Sequence, residues 1–190
     1  MNKNSKILDE NFFSRKTETV AKELLGKFLV RKIGDEEKRV IILETEGYDG
    51  LYDLASHAHI GKTERNKIMF GRPGIFYVYM CYGMHFMLNI VTREKDYPAA
   101  VLIRGVFVLD GNLNLNGPAK LTKFLEIGKD LNGRTAKKKS GLWFEDSGII
   151  IGKNKIIKAP RVGVDYAGPL WSSKKLRFTI GDKNIFLFYK

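Results

Sequence analysis

The sequence predicts a mostly antiparallel α+β fold in a single domain that spans residues 1–190. A length of 190 residues fits one typical domain, and a hydrophobic content of 44% supplies enough apolar surface for one core. Most regular-looking runs are rich in β-branched and aromatic residues and alternate in part between apolar and polar side chains, which is typical of strands. Only two runs have the apolar spacing of a helix, so the helices should be few and short.

Two short helices are predicted from their apolar spacing and their end signals. Residues 17–25 begin with Thr17, a candidate N-cap, and end before Gly26, which suits a helix terminus. The second helix begins near Pro118, because proline is preorganised for a first helical position, and continues to Ile127. The apolar residues of each helix recur at helical spacing, which predicts one buried side.

The remaining regular segments are predicted as strands. They cover residues 27–33, 39–46, 76–82, 84–92 and 99–109, with short strands around 142–144 and 177–180. Gly83 separates two of these runs, which predicts a tight hairpin with Tyr82 close to its tip. Residues 1–10 and 129–140 are mostly polar, and the second of these segments is also basic, so both are predicted as loosely ordered surface segments.

The charge and the cysteine content limit the partners and the compartment. Lys and Arg number 33 against 21 Asp and Glu, a formal net charge of +12, which favours nucleic acid or an anionic membrane. No uncharged stretch is long enough to span a membrane, and residues 1–13 lack the apolar core of a signal peptide, so nucleic acid is favoured. A single cysteine, Cys81, excludes an intrachain disulfide. We therefore expect a cytoplasmic protein, associated with the nucleoid if the source is prokaryotic.

Two acids and a tyrosine share one face of a predicted strand in the segment LETEGYDG. Because strand side chains alternate, Glu44, Glu46 and Tyr48 point to one side. Leu43 and Thr45 point to the other side. Carboxylates about 7 Å apart raise each other's proton affinity, and a partly buried one can hold a water as a general base. The alternative, and the commoner outcome for an isolated E-x-E pattern, is a solvated strand face whose acids balance nearby Lys and Arg.

Tyrosines are unusually frequent in the segment FYVYMCY of the predicted hairpin. Tyr77 and Tyr79 lie on one face of the strand, with Phe76 and Tyr82 on the other. A tyrosine offers a flat ring for stacking and a hydroxyl that needs a partner, so the segment suits a platform for nucleobases. A sheet margin with amphipathic tyrosines is equally consistent with this segment alone. The net positive charge favours the nucleobase platform.

The other chemistry-bearing residues predict neither a metal ion nor a cofactor. His57 and His59 form an H-x-H pair, but no further ligands follow at a recognisable spacing, so we expect polar support of a pocket. The turn GRPG matches no phosphate-binding glycine motif, and no nucleophile-elbow sequence is present.

Six segments, in their order and spacing, carry a resemblance to a known family. They are VIILETEGYDG, ASHAHIGKTERNKIMF, PGIFYVYMCYGMHFMLNI, AAVLIRGV, NGPAKL and PRVGVDYAG, which are distributed along the chain between residues 40 and 168. The chain resembles the 3-methyladenine DNA glycosylases of the alkyladenine (N-methylpurine) type. The resemblance implies a curved sheet with a protruding β-hairpin. It also implies an enzyme that removes 3-methyladenine, 7-methylguanine, hypoxanthine and ethenoadenine from duplex DNA. We expect it to be a monomer without a cofactor or an obligate protein partner.

The resemblance also implies roles around the base to be removed. Glu46 would activate the attacking water. Tyr48, His57 and Tyr79 would line the pocket for the flipped base, and Asn89 at its floor would discriminate against the amino group of normal guanine.

Two further residues would contact the DNA. By the resemblance, Tyr82 would fill the gap left in the duplex, and Arg104 would lie close to the backbone of the extruded nucleotide. Glu44 receives no catalytic role. A non-catalytic nucleic-acid-binding module is the main alternative, since charge and tyrosines serve it equally well, but it leaves the acidic face unexplained. A carbohydrate hydrolase with paired acids fits the net charge poorly, since most sugars are uncharged.

Overall fold

An antiparallel sheet of nine strands dominates the residues that the computed structural model describes, 5–146 and 148–181. The strands are β1 (Phe28–Ile33), β2 (Glu36–Asp49), β3 (Phe76–Cys81), β4 (His85–Val91), β5 (Ala99–Val108), β6 (Leu113–Asn116), β7 (Leu142–Glu145), β8 (Ile156–Ala159) and β9 (Arg177–Ile180). The helices are α1 (Glu10–Phe13), α2 (Thr17–Glu23), α3 (Pro118–Phe124) and α4 (Gly168–Ser172). The predicted α+β class, with a curved antiparallel sheet and short helices, is confirmed.

The two longest strands, β2 and β5, organise the sheet. Its main strand order is β3-β4-β5-β2-β1-β7, with β6 paired to β5, β9 to β2 and β8 to β9. Along its length β2 pairs first with β1 and then, at residues 44–46, with β9. Similarly, β5 pairs with β4 at residues 100–102 and with β6 at residues 105–108. Register shifts on both sides of Glu44 mark a bulge, which bends β2 at the level where the neighbours change.

The apolar core joins α1, α2 and α3 to one face of the sheet. Phe76 and Val78 of β3 belong to this core, whereas Tyr77 packs in a second, smaller cluster with Tyr79 at its edge. Alternation along β3 therefore places these two tyrosines on one face, as predicted. No helix among the described residues has both the length and the apolar character needed to cross a bilayer.

Helix α2 is attached to β2 through threonine hydroxyls. Thr17 was predicted as its N-cap, but the N-cap is Lys16, and Thr17 is the first helical residue. The Thr17 hydroxyl instead donates to the Asp49 carboxylate at the end of β2, at 2.7 Å. Thr45 of β2 donates to the carbonyl of Ala21 at the same distance. The hydroxyl predicted to cap the helix is thus used in a tertiary contact.

The hairpin of β3 and β4 has the predicted tight turn. Tyr82 and Gly83 have φ values of 51° and 67°, and the Met84 N–H donates to the Cys81 carbonyl at 3.2 Å, as in a type I′ turn. The strand ends at Cys81, so Tyr82 belongs to the turn and not to the strand face on which it was predicted with Phe76. The Tyr82 side chain is 88% exposed at the hairpin tip.

All predicted helices and strands are present, with ends that differ by a few residues, but several short elements were not predicted. These are α1, α4, β6 and β8, each of four or five residues. Residues 129–140 differ from the predicted loose loop, because Leu131 and Ala136 are buried and the Asn132 side chain accepts the N–H of Val78. Contacts with β3 therefore hold this basic segment in place.

Candidate active site

A cleft of about 570 Å³ brings together the seven residues to which the sequence analysis assigned site roles. They are Glu46, Tyr48, His57, Tyr79, Tyr82, Asn89 and Arg104. The cleft lies where β4 and β6 diverge along β5, and its walls also include β2, β3, the start of α3 and residues 162–166. The strands that were predicted separately thus converge on one concave site.

Glu46 lies at the floor of this cleft with both carboxylate oxygens engaged. Its side chain has no solvent-exposed surface. Oε1 accepts the backbone N–H of Val162 at 2.9 Å, and Oε2 accepts the Tyr48 hydroxyl at 3.0 Å. Burial raises the pKa of Glu46, although the Arg104 charge and these two hydrogen bonds oppose the shift. The alternative of a solvated strand face is therefore wrong for this acid.

A chain of alternating charges runs from β9 to Glu46. Arg177 donates to Glu44 Oε1 at 2.8 Å. The Arg104 Nε atom lies 3.4 Å from Glu44 Oε1 and 3.6 Å from Glu46 Oε1, so this one cation serves both carboxylates. Glu44 raises the pKa of Glu46, in the predicted direction, but burial is the larger cause. The arginines reduce the repulsion between the two acids.

Much of the cleft lining is aromatic. The ring centroids of Tyr77 and Tyr79 are 5.3 Å apart at an interplanar angle of 35°, and the His57 ring meets Tyr79 nearly edge-on at 4.6 Å. Burial raises the pKa values of Tyr48 and Tyr79, so both phenols are neutral at physiological pH. The Arg65 guanidinium lies 5.7 Å from the Tyr79 ring centre. The wall thus offers several uncharged π faces within one small volume.

The protonation of His57 follows from its single side-chain hydrogen bond. Its Nδ1 atom lies 2.9 Å from the Tyr77 hydroxyl. Tyr77 is only 1% exposed, its hydroxyl bonds no other acceptor among the described residues, and the nearby Arg65 can only donate. The Tyr77 hydroxyl therefore donates to Nδ1, and the proton of the neutral imidazole resides on Nε2. Burial and the Arg65 charge lower the pKa of His57 to about 4.

We expect His57 to remain neutral, with its proton on Nε2, from pH 8 down to about pH 4. Nitrogen-15 NMR of histidine-labelled protein distinguishes the two tautomers, and the chain holds only three histidines. His59 is an internal reference for the opposite tautomer, because its Nδ1 lies 2.8 Å from the Ser56 carbonyl, which can only accept. Replacing Tyr77 by phenylalanine should give His57 a mixture of tautomers. A proton on Nδ1 of His57 in the unmodified protein would contradict the assignment.

Asn89 is fixed at the base of the aromatic wall. It is 3% exposed and stands between β3 and β5, paired with Tyr77 and Leu102. Its side-chain Nδ2 donates to the Tyr77 carbonyl at 3.1 Å. Because this bond holds the amide, Asn89 presents a rigid surface to the cleft.

Comparison with known proteins connects this geometry to a family. Residues 11–184 match the family described as methylpurine-DNA glycosylase. The chain belongs to this family. Its members are N-glycosyl hydrolases that act on alkylated purines in base-excision repair, so the family and the enzyme class predicted from the sequence are confirmed.

Curated relatives match this chain over most of their length. A protein of Methanocella arvoryzae named "Putative 3-methyladenine DNA glycosylase" is 41% identical over 176 residues, which is 85% of this chain and 86% of the relative. Proteins with the same name from Clostridium perfringens (strain 13 / Type A) and Ehrlichia chaffeensis are 40% and 39% identical. They cover 84% and 95% of this chain, and 89% and 97% of their own lengths.

Several residues at the cleft received no role from the sequence. Arg65 and Tyr166 line it, and Val162 contributes the backbone N–H that binds Glu46. Arg161 lies behind the Tyr48 ring. The segment PRVGVDYAG was part of the resemblance, but no local pattern indicates that it folds back against β2. Only tertiary contacts reveal these residues.

Proposed function

We propose that this chain, over residues 1–190 as one domain, flips alkylated or deaminated purines out of duplex DNA and hydrolyses their N-glycosidic bond, leaving an abasic site. The observation that supports this most directly is a buried carboxylate, Glu46, at the floor of an aromatic cleft beside an exposed tyrosine, Tyr82. An enzyme that acts on a base must take the base out of the helical stack, and this combination provides a slot, a wedge and a base catalyst.

Tyr82 offsets part of the cost of flipping. Extrusion of a nucleotide costs a few kcal/mol, least for a damaged or mismatched base. Stacking of a base on an aromatic side chain contributes about 1 to 3 kcal/mol. A tyrosine that is 88% exposed at a hairpin tip can enter the vacated position at little loss of its own burial. Selection of damaged bases thus begins before any bond is broken.

The aromatic wall favours charged lesions. Alkylation at a purine nitrogen can leave the base positively charged, and such a base is attracted to electron-rich rings and is also a good leaving group. Tyr48 and Tyr79 are neutral phenols whose rings face the same cleft. 3-Methyladenine and 7-methylguanine are therefore favoured over normal purines both in binding and in bond cleavage.

Neutral lesions need hydrogen bonds for their selection. The Nε2–H group of His57 can donate to O6 of hypoxanthine. Adenine has a 6-amino group in that place, so two donors would face each other and no hydrogen bond would form. The Asn89 amide, held by the Tyr77 carbonyl, hinders the 2-amino group of normal guanine, and in 7-methylguanine the attraction of the positive charge offsets the same hindrance. In ethenoadenine the 6-nitrogen is part of the added ring and carries no hydrogen, so it can accept the same proton. Both neutral lesions can thus be accepted without a positive charge on the base.

Glu46 serves as the general base and stabilises the transition state. The water oxygen bonds to C1′ of the sugar, and the bond from C1′ to the purine nitrogen breaks, its electron pair leaving with the purine. Glu46 takes the proton of the water and stabilises the oxocarbenium charge. No lysine is among the described residues that line the cleft, which favours hydrolysis without strand cleavage.

The cationic residues supply DNA contacts. We assign Arg104, whose side chain is 18% exposed next to Glu46, to the backbone of the extruded nucleotide. The overall charge of +12 adds attraction to the duplex that does not depend on sequence. We further propose that the protein acts as a monomer in the cytoplasm, without a cofactor and without an obligate protein partner.

One assay tests the proposed function. Duplexes that carry 3-methyladenine or hypoxanthine are incubated with the protein, and both the free base and alkali-labile sites are measured. We expect free base, alkali-labile sites and no strand cleavage before alkali treatment, relative to an undamaged duplex of the same sequence. Tight binding without base release would favour the non-catalytic module, and direct strand cleavage would contradict the hydrolytic mechanism.

A further inference from the structure

A buried ion pair lies directly behind the wall of the cleft. Arg161 donates from Nη1 and Nη2 to the two carboxylate oxygens of Asp53 at 2.5 and 2.8 Å, and neither side chain has solvent-exposed surface. The same carboxylate accepts the backbone N–H groups of Asp49 and Ala55 at 3.1 Å. Asp53 therefore holds both Arg161 and the loop that follows β2.

Arg161 contacts the groups that form the catalytic end of the cleft. Its guanidinium carbon lies 4.7 Å from the centre of the Tyr48 ring, and its Nη1 also donates to the Gly47 carbonyl at 2.9 Å. The next residue along the chain, Val162, donates its N–H to Glu46. One side chain thus determines where the Tyr48 ring lies and where the donor to the catalytic carboxylate lies.

A contribution to stability does not by itself explain this pair. The desolvation of two charges usually offsets most of their attraction, so a buried ion pair adds little net stability. In addition, Arg161 Nε is buried and makes no hydrogen bond with any described residue. The contacts of Arg161 with the Tyr48 ring and with the Gly47 carbonyl lie at the site, and they give the pair a use there.

The charges of the pair also belong to the surroundings of Glu46. The groups that face this carboxylate are Arg104 from β5, Glu44 and Tyr48 from β2, Tyr79 from β3 and the Val162 N–H, with Arg177 of β9 bound to Glu44. Behind Tyr48, the cation of Arg161 and the anion of Asp53 nearly cancel. If one partner is removed, a full charge remains in a buried position close to Glu46.

We propose that the Asp53–Arg161 pair is a positioning device for the glycosylase reaction. Arg161 places the Tyr48 ring and the Val162 N–H against Glu46, and Asp53 fixes Arg161 and cancels its charge. The proposal rests on the proposed function, in which ionised Glu46 is the general base. It assigns Asp53 and Arg161 an effect on the proton affinity of Glu46 that a purely structural pair would not have.

The test compares Asp53→Asn, Arg161→Gln and the double variant by single-turnover excision of hypoxanthine across pH. Excision should rise with pH as Glu46 ionises. Asp53→Asn leaves an unneutralised cation, so this rise should move to lower pH by about 0.5 to 1 unit. Arg161→Gln removes a cation from the surroundings of Glu46 and keeps the two backbone donors of Asp53, so the rise should move to higher pH by a similar amount. In the double variant, the pH dependence of excision should return towards that of the unmodified protein.

A matched control separates this electrostatic effect from loss of stability. Glu145 is also a buried carboxylate, bound to Trp143 and Arg39, but it does not line the cleft. Glu145→Gln should lower the melting temperature and leave the pH dependence unchanged. If Arg161→Gln does not fold, Asp53→Asn compared with the double variant still decides the question.

The outcomes separate the two proposals. A shift of the rise to lower pH in Asp53→Asn and to higher pH in Arg161→Gln supports the positioning device. The pair is only structural if both single variants shift in the same direction or neither shifts, while excision of hypoxanthine by the unmodified protein still rises with pH. The proposed function would then remain intact. Absence of base release by the unmodified protein, for every lesion tested, contradicts the proposed function itself.

Discussion

Replacing Glu46 by glutamine should slow base excision by roughly 10² to 10⁴ while binding to duplex DNA is retained. Glutamine keeps the shape of the side chain, and its carbonyl oxygen can still accept the Val162 N–H. It cannot take a proton from water or stabilise the positive charge on the sugar with a carboxylate. Single-turnover excision of hypoxanthine or 3-methyladenine measures the rate, and a fluorescence titration with the same duplex measures binding.

The chain offers a control for this substitution on the same strand face. Glu44 also contacts Arg104, but it is bound by Arg177 and has no part in the proposed chemistry. Glu44→Gln should therefore reduce excision far less than Glu46→Gln does. Near-normal turnover by Glu46→Gln, or equal losses in both variants, would remove Glu46 from the mechanism.

The Glu46→Gln variant should be more stable than the unmodified protein at neutral pH. Burial raises the pKa of Glu46 in the folded chain above its ordinary value in the unfolded chain, so the folded state holds this proton more tightly. The stability from this group is therefore complete below the ordinary glutamate pKa and is lost as pH rises through the raised, folded-state pKa. Glutamine does not ionise, so the variant should keep this stability as pH rises and exceed the unmodified protein at pH 7. Chemical denaturation at pH 7 and at pH 4 measures this difference, which should vanish at the lower pH.

The features that the sequence predicted well depend on local patterns. Alternation along LETEGYDG was sufficient to place Glu46 and Tyr48 on one face, and the turn preference of Gly83 was sufficient to place Tyr82 near a hairpin tip. Pro118 opens α3 as expected. The roles of these residues came from the resemblance to a family, because alternation and turn preferences carry no information about chemistry.

The features that the sequence missed depend on contacts between distant parts of the chain. Arg161 and Asp53 are separated by 108 positions, and no periodicity connects them. The change of neighbours along β2 requires knowledge of where β9 returns, and the four residues of β6 form a strand because β5 offers a partner. Likewise, burial of Glu46 depends on the segment around Val162, so the sequence suggested repulsion between two acids as the main cause of its raised pKa.

Replacing Tyr82 by serine should weaken capture of the flipped nucleotide by roughly 5- to 150-fold, which corresponds to the loss of about 1 to 3 kcal/mol of stacking. Binding to an undamaged duplex should change little, because non-specific binding depends on phosphate contacts. Tyr82 is 88% exposed, so the melting temperature should also stay nearly constant. The fluorescence of 2-aminopurine placed next to the lesion reports the flipped state, and a parallel titration with undamaged DNA reports non-specific binding.

Two matched variants separate stacking from simple loss of an exposed aromatic residue. Tyr52 is 87% exposed but does not line the cleft, so Tyr52→Ser should leave capture of the flipped nucleotide unchanged. Tyr82→Phe keeps the ring and the turn and should retain most of the capture, because the ring and not the hydroxyl fills the vacated position. Equal losses of specific and non-specific binding in Tyr82→Ser would mean that this residue only helps the protein to adhere to DNA. Retention of capture in Tyr82→Ser would transfer the wedge role to another part of the hairpin, because the flipped state still requires that its vacancy in the duplex be filled.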